Sequence, residues 1–414
     1  MRHELAVWLF AQCVGTLSWQ AGRLTFCYHA DWLQRADALP LSVALPLQSA
    51  AFDDAAARPF FAGLLPEGRL RDLIAQQFHL SRQNDFGLLD QLGGECAGAV
   101  SLLPIGDALP VATHAVDWLD EAQLRALLEE LPRRPMLAGK EGLRLSLAGA
   151  HDKLPVVVDG ARIGLPRAGT PSTHILKPAI AGVADSVMNE GFCLALAAQL
   201  KLHVARAQIY PLQNQPFLLV ARYDRLCNGD TVQRLHQEDF CQALGYVPEM
   251  KYQNEGGADL ARCFDLLRLA TRPSVTHILR LLDNVIFNAL IGNHDAHAKN
   301  FSLLYQGKTA SLAPLYDTLC TAIYPDLSPK MAMKLGSKYR FEEVFPRHWE
   351  QFAAEAALSK AQTRKRVHTL AIALPATARQ LQTDPRFAAS PVVGKIVQFI
   401  EQRADMTLRR LNQP

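Results

Sequence analysis

The strongest constraint on the fold is an apolar helical stripe that ends in a dense run of polar residues. Between residues 276 and 290, apolar side chains recur at three- and four-residue spacing, which is typical of a helix buried along one side. Gly292 ends this pattern within the polar loop IGNHDAHAKNFSLL, at residues 291–304. A polar loop held by a buried helix has a rigid support, so this loop is the first candidate for a functional site.

The rest of the chain divides into a strand-rich and a helical part. Residues 1–105 contain short apolar strands, a helix beginning near Pro66 and a turn-rich end, which indicate a small α+β unit. The segment PRRP at 132–135 marks a boundary. Strands predominate from about 136 to 225, and helices from about 226 to 414. The sequence therefore predicts an α+β protein with a strand-rich N-lobe and a helical C-lobe.

Several local elements follow from the pattern around the candidate site residues. We expect a strand at RLSL, residues 144–147, and a helix capped by Asp185 and Ser186 that continues to about Leu200. A further helix is expected over 238–244, and a hairpin around Gly307.

Composition excludes several classes of protein. The 414 residues carry 43 Lys and Arg against 40 Asp and Glu, and this net charge of +3 argues against a dedicated nucleic-acid binder. An apolar fraction of 49% is ordinary for a globular chain and argues against wholesale disorder. The eight cysteines form no CxxC pair, which suits a reducing cytosol. Without an apolar run of about 18 residues, we expect a cytoplasmic protein with no membrane span.

Within the polar loop, Asp295 and Asn300 have the spacing of a kinase catalytic loop. In that loop the Asp accepts the proton of the acceptor hydroxyl, and the Asn five residues later binds Mg²⁺. Lys299, between them, could neutralise charge that develops on the transferred phosphoryl group. Asp317 follows the hairpin and falls where a kinase places its second magnesium carboxylate. Each residue alone could equally serve a turn or a helix cap, because Asp and Asn are common there.

Two upstream segments could bind the phosphates of a nucleotide. Lys177, at the end of the predicted strand THILKP, could hold the phosphates, and Glu190 in the next helix could position it. The turn SLAGAHDK at 146–153 contains Ala148, Gly149 and Ala150, whose small side chains would allow backbone N–H groups to approach a phosphate. A solvated lysine and a plain tight turn remain the alternatives for these two segments.

Taken together, these motifs resemble the HipA family of toxin serine/threonine kinases. The resemblance covers about residues 140–330, and GLLPEG at 63–68 is similar to the amino-terminal domain of the family. It implies a two-lobed protein-kinase-like fold at about 136–390 with an additional N-terminal subdomain at 1–105. The motifs that carry the resemblance are SLAGAHDKLPV, THILKP, NEGFCLALA, ARYDR, RLHQEDFCQALG, GNHDAHAKNFSLL and LAPLYDTLCTAIYP.

The resemblance also implies roles for individual residues. Asp295 would be the catalytic base, Asn300 and Asp317 would bind Mg²⁺, and Lys177 would contact the phosphates of ATP. The hinge that contacts adenine would comprise Ala221, Arg222 and Tyr223. The loop over the phosphates would comprise Ala148, Gly149, Ala150, His151, Asp152 and Lys153. Further residues expected to line the nucleotide are Gln237, His297, Lys299 and Tyr316.

Self-inactivation and partners are implied in the same way. Ser146 would be autophosphorylated, and its phosphate would exclude ATP from the site by charge. A small helix-turn-helix antitoxin would be the partner and the main contact with DNA, and an aminoacyl-tRNA synthetase is the expected kind of protein substrate. The chain departs from the usual family pattern at His151, Asp152 and His294, which affects the loop geometry and the environment of the base.

Two other functions compete with a kinase. In a metal-dependent phosphohydrolase of the HD type, His294, Asp295 and His297 would bind the metal, which leaves Lys177 and Asp317 unexplained. The histidines available as further ligands are His203, His236 and His277. A pseudokinase that only binds a partner is the second alternative, and the presence of base, lysine and magnesium ligands argues against it.

Overall fold

The computed structural model describes residues 3–111, 113–167, 169–213, 215–229 and 231–412. The predicted segment 1–105 begins, and the predicted segment 226–414 ends, outside this described part, which leaves out residues 1, 2, 413 and 414. The chain forms two compact units. The first comprises Met1–Pro178, Tyr210–Glu249 and Leu303–Ala310, and the second comprises Ala179–Ile209, Met250–Ser302 and Ser311–Pro414.

The amino-terminal part of the first unit is a sheet covered by helices. Its elements are β1 (Glu4–Leu9), β2 (Gln12–Gln20), β3 (Arg23–Tyr28), α1 (Ala30–Leu33), α2 (Asp54–Ala62), α3 (Gly68–Gln77), α4 (Asp85–Leu92) and β4 (Val100–Pro104). The strands run in the antiparallel order β3-β2-β1-β4. Phe26 and Phe61 are fully buried between the sheet and α2, with ring centroids 5.3 Å apart. Burial of each such side chain contributes about 1.5–3 kcal/mol, so this part has a core of its own.

The next part of the chain contains a second sheet and strands of two smaller sheets. The elements here are β5 (Val116–Leu119), α5 (Glu121–Glu130), β6 (Leu154–Asp159), β7 (Arg162–Pro166), β8 (His174–Lys177), α6 (Ser186–Gln199), β9 (Ala207–Tyr210), β10 (Phe217–Ala221), β11 (Arg225–Asn228), β12 (Thr231–Arg234), β13 (His236–Asp239) and α7 (Phe240–Leu244). Within the first unit, neighbouring strands run in the order β5-β7-β6-β8-β10. Leu218 of β10 lies opposite Lys177, and Ala221 lies opposite His174, so adjacent strands carry the predicted phosphate lysine and hinge.

The last part of the chain is mostly helical. Its elements are α8 (Leu260–Ala270), α9 (Ser274–Ile291), β14 (Ser302–Gln306), β15 (Thr309–Leu312), α10 (Pro346–Glu355), α11 (Lys360–Gln382) and α12 (Pro391–Leu411). The expected hairpin around Gly307 is confirmed by β14 and β15. Helix α9 packs against α8, α11 and α12 and buries the predicted stripe, including Leu281, Leu282 and Ile286. It is the central support of the second unit.

Helix α9 ends at Gly292 for a steric reason. Gly292 has φ of +79°, a left-handed conformation that favours glycine. A Cβ atom there would lie 2.5 Å from Phe399 Cε1. Only glycine therefore lets the chain leave the helix directly into the polar loop.

The same helix also bears on the expectation of no membrane span. Among the described residues, α9 is long and apolar enough to cross a membrane, and more than half of it is buried inside the protein. A buried core helix of a globular unit meets the same criteria of length and composition.

One local prediction was wrong, and two others were right about the helix but not about how it begins. RLSL is not a strand: Leu145 makes only an isolated bridge to Glu95, because no neighbouring strand continues the ladder there. The predicted helix at 238–244 begins only at Phe240, since β13 occupies the preceding residues. Asp185 does not cap α6 through its side chain; its φ is +50°, and the hydroxyl of Ser186 instead accepts a hydrogen bond from Ile180 N at 2.7 Å.

Candidate active site

The predicted base and magnesium ligand lie together in the loop that follows α9. Asn300 Nδ2 donates to the backbone oxygen of Asp295 at 3.0 Å, and His297 N donates to the same oxygen at 2.8 Å. Asn300 is itself part of a single 3₁₀ turn, Ala298–Asn300. Because its amide nitrogen faces the carbonyl, the Asn300 side-chain oxygen is the atom that can bind a cation. The five-residue spacing thus produces a compact turn that presents a carboxylate and an amide oxygen.

A network of buried amide and hydroxyl side chains supports this turn. Asn293 Nδ2 donates to Asn288 Oδ1 at 2.9 Å, and Thr318 Oγ1 donates to the same oxygen at 2.8 Å. Asp295 N in turn donates to Asn293 Oδ1 at 3.2 Å. One side chain of α9, Asn288, therefore holds both the catalytic loop and the residue that follows Asp317.

Asp317 adopts an unusual backbone conformation. Its φ is +53°, a left-handed value that is uncommon for residues other than glycine, although Asp tolerates it better than most. Such conformations persist only where the surroundings fix them, and they concentrate at functional sites. Its neighbour Thr318 is fully buried and bonded to Asn288. The conformation thus supports a functional role for the Asp317 carboxylate.

Three further predicted residues of the second unit lie in or beside the turn. His297 and Lys299 are buried, and Tyr316 is half-buried. The Tyr316 hydroxyl donates to Lys299 O at 2.8 Å and lies 2.7 Å from Ser302 Oγ. Through these hydrogen bonds Tyr316 holds the backbone of the loop. Its contact with a nucleotide stays a prediction.

One residue that contacts the predicted base was missed from the sequence. The Tyr252 hydroxyl donates to Asp295 Oδ1 at 2.7 Å, and its ring meets the His297 ring edge-on with centroids 5.4 Å apart. Tyr252 lies 43 residues before Asp295, in a segment without helical or strand periodicity. No local sequence signal points to this contact.

His294 is buried and directly precedes the predicted base, Asp295. Its Nδ1 lies 3.2 Å from Ser328 O, and its backbone N donates to Thr321 Oγ1 at 2.8 Å. Burial, and then the charge of Arg403, lower the pKa of His294, which favours the neutral ring. Across the described parts of the chain, no group of three or more His, Cys, Asp or Glu side chains could hold a metal ion. The phosphohydrolase alternative thus has no ligand cluster among these residues.

The predicted phosphate loop lies in the first unit and is held by GLLPEG. Ser146 is fully buried, and its hydroxyl donates to Leu64 O at 2.7 Å. Glu67 N donates to Gly149 O at 3.0 Å. GLLPEG, which resembles a segment of the amino-terminal domain, therefore also holds this loop in place.

Inside the loop, a lysine closes the turn. Lys153 Nζ donates to Ala148 O at 2.6 Å, and Gly149 has φ of +114°. A Cβ on Gly149 would lie 2.4 Å from Lys153 Nζ, so glycine suits both the conformation and the close approach. Ala150 and His151 form the exposed tip of the loop.

Asp152 is one of the residues that depart from the usual family pattern, and its burial affects the charge of its carboxylate. One oxygen of its carboxylate is buried without a hydrogen-bond partner. Burial raises the pKa of Asp152, although Arg69 and Lys153 act in the opposite direction. The neutral form is therefore favoured more than for an ordinary aspartate.

In the predicted hinge, the two residues that follow β10, Arg222 and Tyr223, direct their side chains to different partners. Arg222 N donates to Thr173 O at 3.0 Å, which continues the pairing of Ala221 in β10. The Tyr223 hydroxyl donates to Gln237 Oε1 at 2.6 Å. Tyr223 of the hinge and Gln237 are thus in contact, and their contact with a nucleotide stays a prediction. The Arg222 side chain is buried and takes no part in this contact.

Arg222 belongs to a buried ion cluster that the sequence analysis did not find. Glu95 Oε1 accepts hydrogen bonds from Arg225 at 2.8 Å, from Arg222 at 3.3 Å, and from the hydroxyl and N–H of Ser172. Asp224 accepts from Arg222 at 2.7 Å and 2.9 Å. Burial would raise the pKa of Glu95, but Arg225 and Arg222 outweigh it and hold that pKa below its usual value.

The predicted residues therefore form two sets, one in each unit. Ser146, the loop at 148–153, Lys177, the hinge at 221–223 and Gln237 belong to the first unit. The second unit contains the other set, which comprises Glu190, Asp295, His297, Lys299, Asn300, Tyr316 and Asp317. Glu190 is buried in α6, and its pairing with Lys177 stays a prediction.

Comparison with known proteins agrees with the fold. The HipA N-terminal domain family matches residues 5–103, and the HipA-like C-terminal domain family matches residues 145–378. "Putative kinase Y4mE" of Sinorhizobium fredii is 46% identical over 372 residues, which are 88% of this chain and 89% of that protein. "Serine/threonine-protein kinase toxin HipA" of Shewanella oneidensis is 31% identical over 355 residues, 80% and 78% of the two chains.

A solved structure extends the match to nearly the whole chain. The complex of HipA, HipB and operator DNA from Shewanella oneidensis contains a chain with a TM-score of 0.86 and 25% identity. The match covers 99% of this chain and 98% of that one. The fold is thus a kinase-like α+β fold with an additional amino-terminal domain. The chain belongs to the HipA family, and both predictions are confirmed.

Proposed function

We propose that the chain is a serine/threonine protein kinase that transfers the γ-phosphate of ATP to a protein hydroxyl, and that it is the toxin of a toxin–antitoxin pair. The observation that carries the proposal is the turn in which Asn300 binds the backbone of Asp295 while Asn288 anchors the segment of Asp317. This arrangement supplies a base and two oxygen ligands from rigidly held backbone. The family membership and the kinase names of the relatives support it.

In this mechanism the chain mainly positions groups and stabilises charge. Asp295 orients the acceptor hydroxyl and takes its proton as the bond to phosphorus forms. Lys299 lies in the same turn, where an ammonium group neutralises charge on the transferred phosphoryl group. The hinge at 221–223 binds adenine, while Lys177 and the loop at 148–153 hold the phosphates.

Asn300 and Asp317 fit the requirements of a magnesium site. Mg²⁺ prefers hard oxygen ligands, and in phosphoryl-transfer sites it needs only one or two carboxylate or amide groups beside the phosphates. When bound, it would neutralise charge on the β- and γ-phosphates. The left-handed backbone of Asp317 and the single turn that contains Asn300 hold these two ligands.

The partners follow from the same family. The structure from Shewanella oneidensis is a complex of HipA with HipB and operator DNA. We infer a HipB-type antitoxin for this chain, with DNA contacted through the antitoxin, which suits the net charge of only +3. An aminoacyl-tRNA synthetase in the cytoplasm is the proposed kind of substrate. A pseudokinase is disfavoured because the proposed base, lysine and metal ligands are all present.

The first experiment measures phosphate transfer from γ-labelled ATP as a function of Mg²⁺ concentration. We expect the wild-type chain to incorporate label with Mg²⁺ and to lose this activity in EDTA. Asp317→Asn removes one negative ligand, so it should raise the Mg²⁺ concentration for half-maximal labelling about ten-fold or more. Asp326→Asn, at an exposed position nearby in the chain, is the matched control. Equal Mg²⁺ dependence in all three proteins would refute the assignment of Asp317.

A second prediction concerns self-inactivation. Because Ser146 is fully buried and bonded to Leu64 O, its phosphorylation requires the loop to leave this position. A phosphate, with about two negative charges, would then keep the loop out. Mass spectrometry after incubation with MgATP should find phosphate on Ser146 as activity towards casein declines. Ser146→Ala should stay active longer, and an unmodified Ser146 in a chain that has lost its activity would contradict this scheme.

A further inference from the structure

We propose that Tyr252 is a positioning residue for phosphoryl transfer and that it fixes the carboxylate of Asp295 through Oδ1. The inference rests on the proposed kinase function and names a residue beyond the predicted site. The contact is a hydrogen bond of 2.7 Å from a phenol to a carboxylate oxygen. Hydrogen bonds to charged acceptors are stronger than those between neutral groups, so this contact selects one orientation of the carboxylate.

The segment that contains Tyr252 is built as a rigid support. Tyr252 O accepts hydrogen bonds from the N–H groups of Glu255 and Gly257, both at 3.0 Å. Gly257 packs so closely that a Cβ would lie 2.1 Å from Met250 O. The ring is further held against His297 at 5.4 Å between centroids. These contacts favour a fixed phenol over a lid that swings into the site.

The same segment is tied to the catalytic loop through a third stretch of chain. Gln253 N donates to Ala332 O at 3.1 Å, and Ala332 N donates to His294 O at 2.7 Å. Lys334 N donates to the side-chain oxygen of Gln253 at 2.8 Å. The backbone next to Tyr252 and the residue before Asp295 therefore share one hydrogen-bonded support. A phenol on this support keeps its distance to the base.

As a chemical consequence, the two carboxylate oxygens of Asp295 have different roles. Oδ1 is bound by Tyr252, so Oδ2 is the oxygen that receives the proton of the acceptor hydroxyl. As that O–H bond breaks, the hydroxyl oxygen forms a bond to the γ-phosphorus of ATP, and the bond from this phosphorus to the β–γ bridging oxygen breaks to release ADP. Without the phenol, the carboxylate can rotate away from the hydroxyl, and the transition state loses its aligned base.

The test compares wild-type chain, Tyr252→Phe and Tyr339→Phe. Tyr252→Phe removes only the hydroxyl and keeps the ring beside His297. Tyr339 is a half-buried tyrosine on the segment that carries Ala332, and it serves as the matched control. We would measure initial rates of ADP release and of phosphate incorporation into casein over a range of MgATP concentrations. The MgATP-induced rise in Tm would be measured for each protein.

For Tyr252→Phe we expect kcat to fall about ten-fold or more, with KM for MgATP within about two-fold of wild type and an unchanged Tm shift. Tyr339→Phe should match wild type. A Tyr252→Phe variant as active as wild type, or more active, would overturn the proposal. Loss of the MgATP-induced Tm shift would also overturn it, since the role would then be structural. A wild-type chain that releases no ADP and transfers phosphate neither to casein nor to itself would refute the kinase function, and the role of Tyr252 with it.

Discussion

Replacement of Asp295 by asparagine is expected to lower the rate of phosphate transfer by about 10²- to 10⁴-fold, the usual contribution of a positioned general base. The backbone oxygen of Asp295, which accepts from Asn300 and His297, is retained in the variant. The turn should therefore keep its shape, and only the proton acceptor is lost. Tm and the MgATP-induced Tm shift should stay close to wild type, and stopped-assay measurement of labelled product gives the rate.

His294→Ala separates this result from a metal-dependent hydrolase. In a kinase, this change removes a buried neutral ring and keeps the backbone N–H that binds Thr321, so it should lower activity only modestly. In a hydrolase that used His294 as a ligand, activity would be lost. An Asp295→Asn variant with wild-type transfer, or a His294→Ala variant with none, would contradict the assignment of the base.

The part of the site that could be predicted from the sequence is local in the chain. Asp295 and Asn300 are five residues apart, and their spacing alone determines that one turn brings them together. Helix α9 was also predictable, because a helical stripe of apolar residues needs no knowledge of its neighbours. Asp317 was placed by its order after the hairpin, although nothing in the sequence indicated its left-handed backbone.

The contacts that were missed join distant parts of the chain. Tyr252 lies 43 residues from Asp295, and Glu95 lies 127 residues from Arg222. Neither position has a periodic pattern around it, so only the folded chain reveals the partner.

The strand that was wrongly predicted at 144–147 has the local pattern of a strand but no strand beside it. Its alternating leucines are buried, as a strand would require, but strand formation also needs a neighbouring strand to complete the ladder.

Glu95 carries the largest expected effect on stability. Glu95→Ala is expected to lower the free energy of unfolding by about 3–5 kcal/mol, the usual cost of removing one partner from a buried ion pair. Two buried arginines, Arg222 and Arg225, would then have Asp224 as their one remaining carboxylate in this cluster. The free energy can be measured from urea unfolding of the full chain, with the slope checked for two-state behaviour.

The same substitution should also weaken nucleotide binding, because Glu95 holds two parts of the proposed ATP site. Its side chain fixes Arg222 in the hinge, and its backbone oxygen accepts from Ser146 N at 2.9 Å. Glu121→Ala is the matched control, since its pair with Arg125 is exposed and such pairs contribute about 0–1 kcal/mol. Glu95→Gln keeps the shape and removes the charge, so it should fall between wild type and Glu95→Ala. If Glu95→Ala cost no more than the control, the cluster would be hydrated in solution, and the hinge would have to be held by its other contacts, such as the backbone pairing of Arg222 with Thr173.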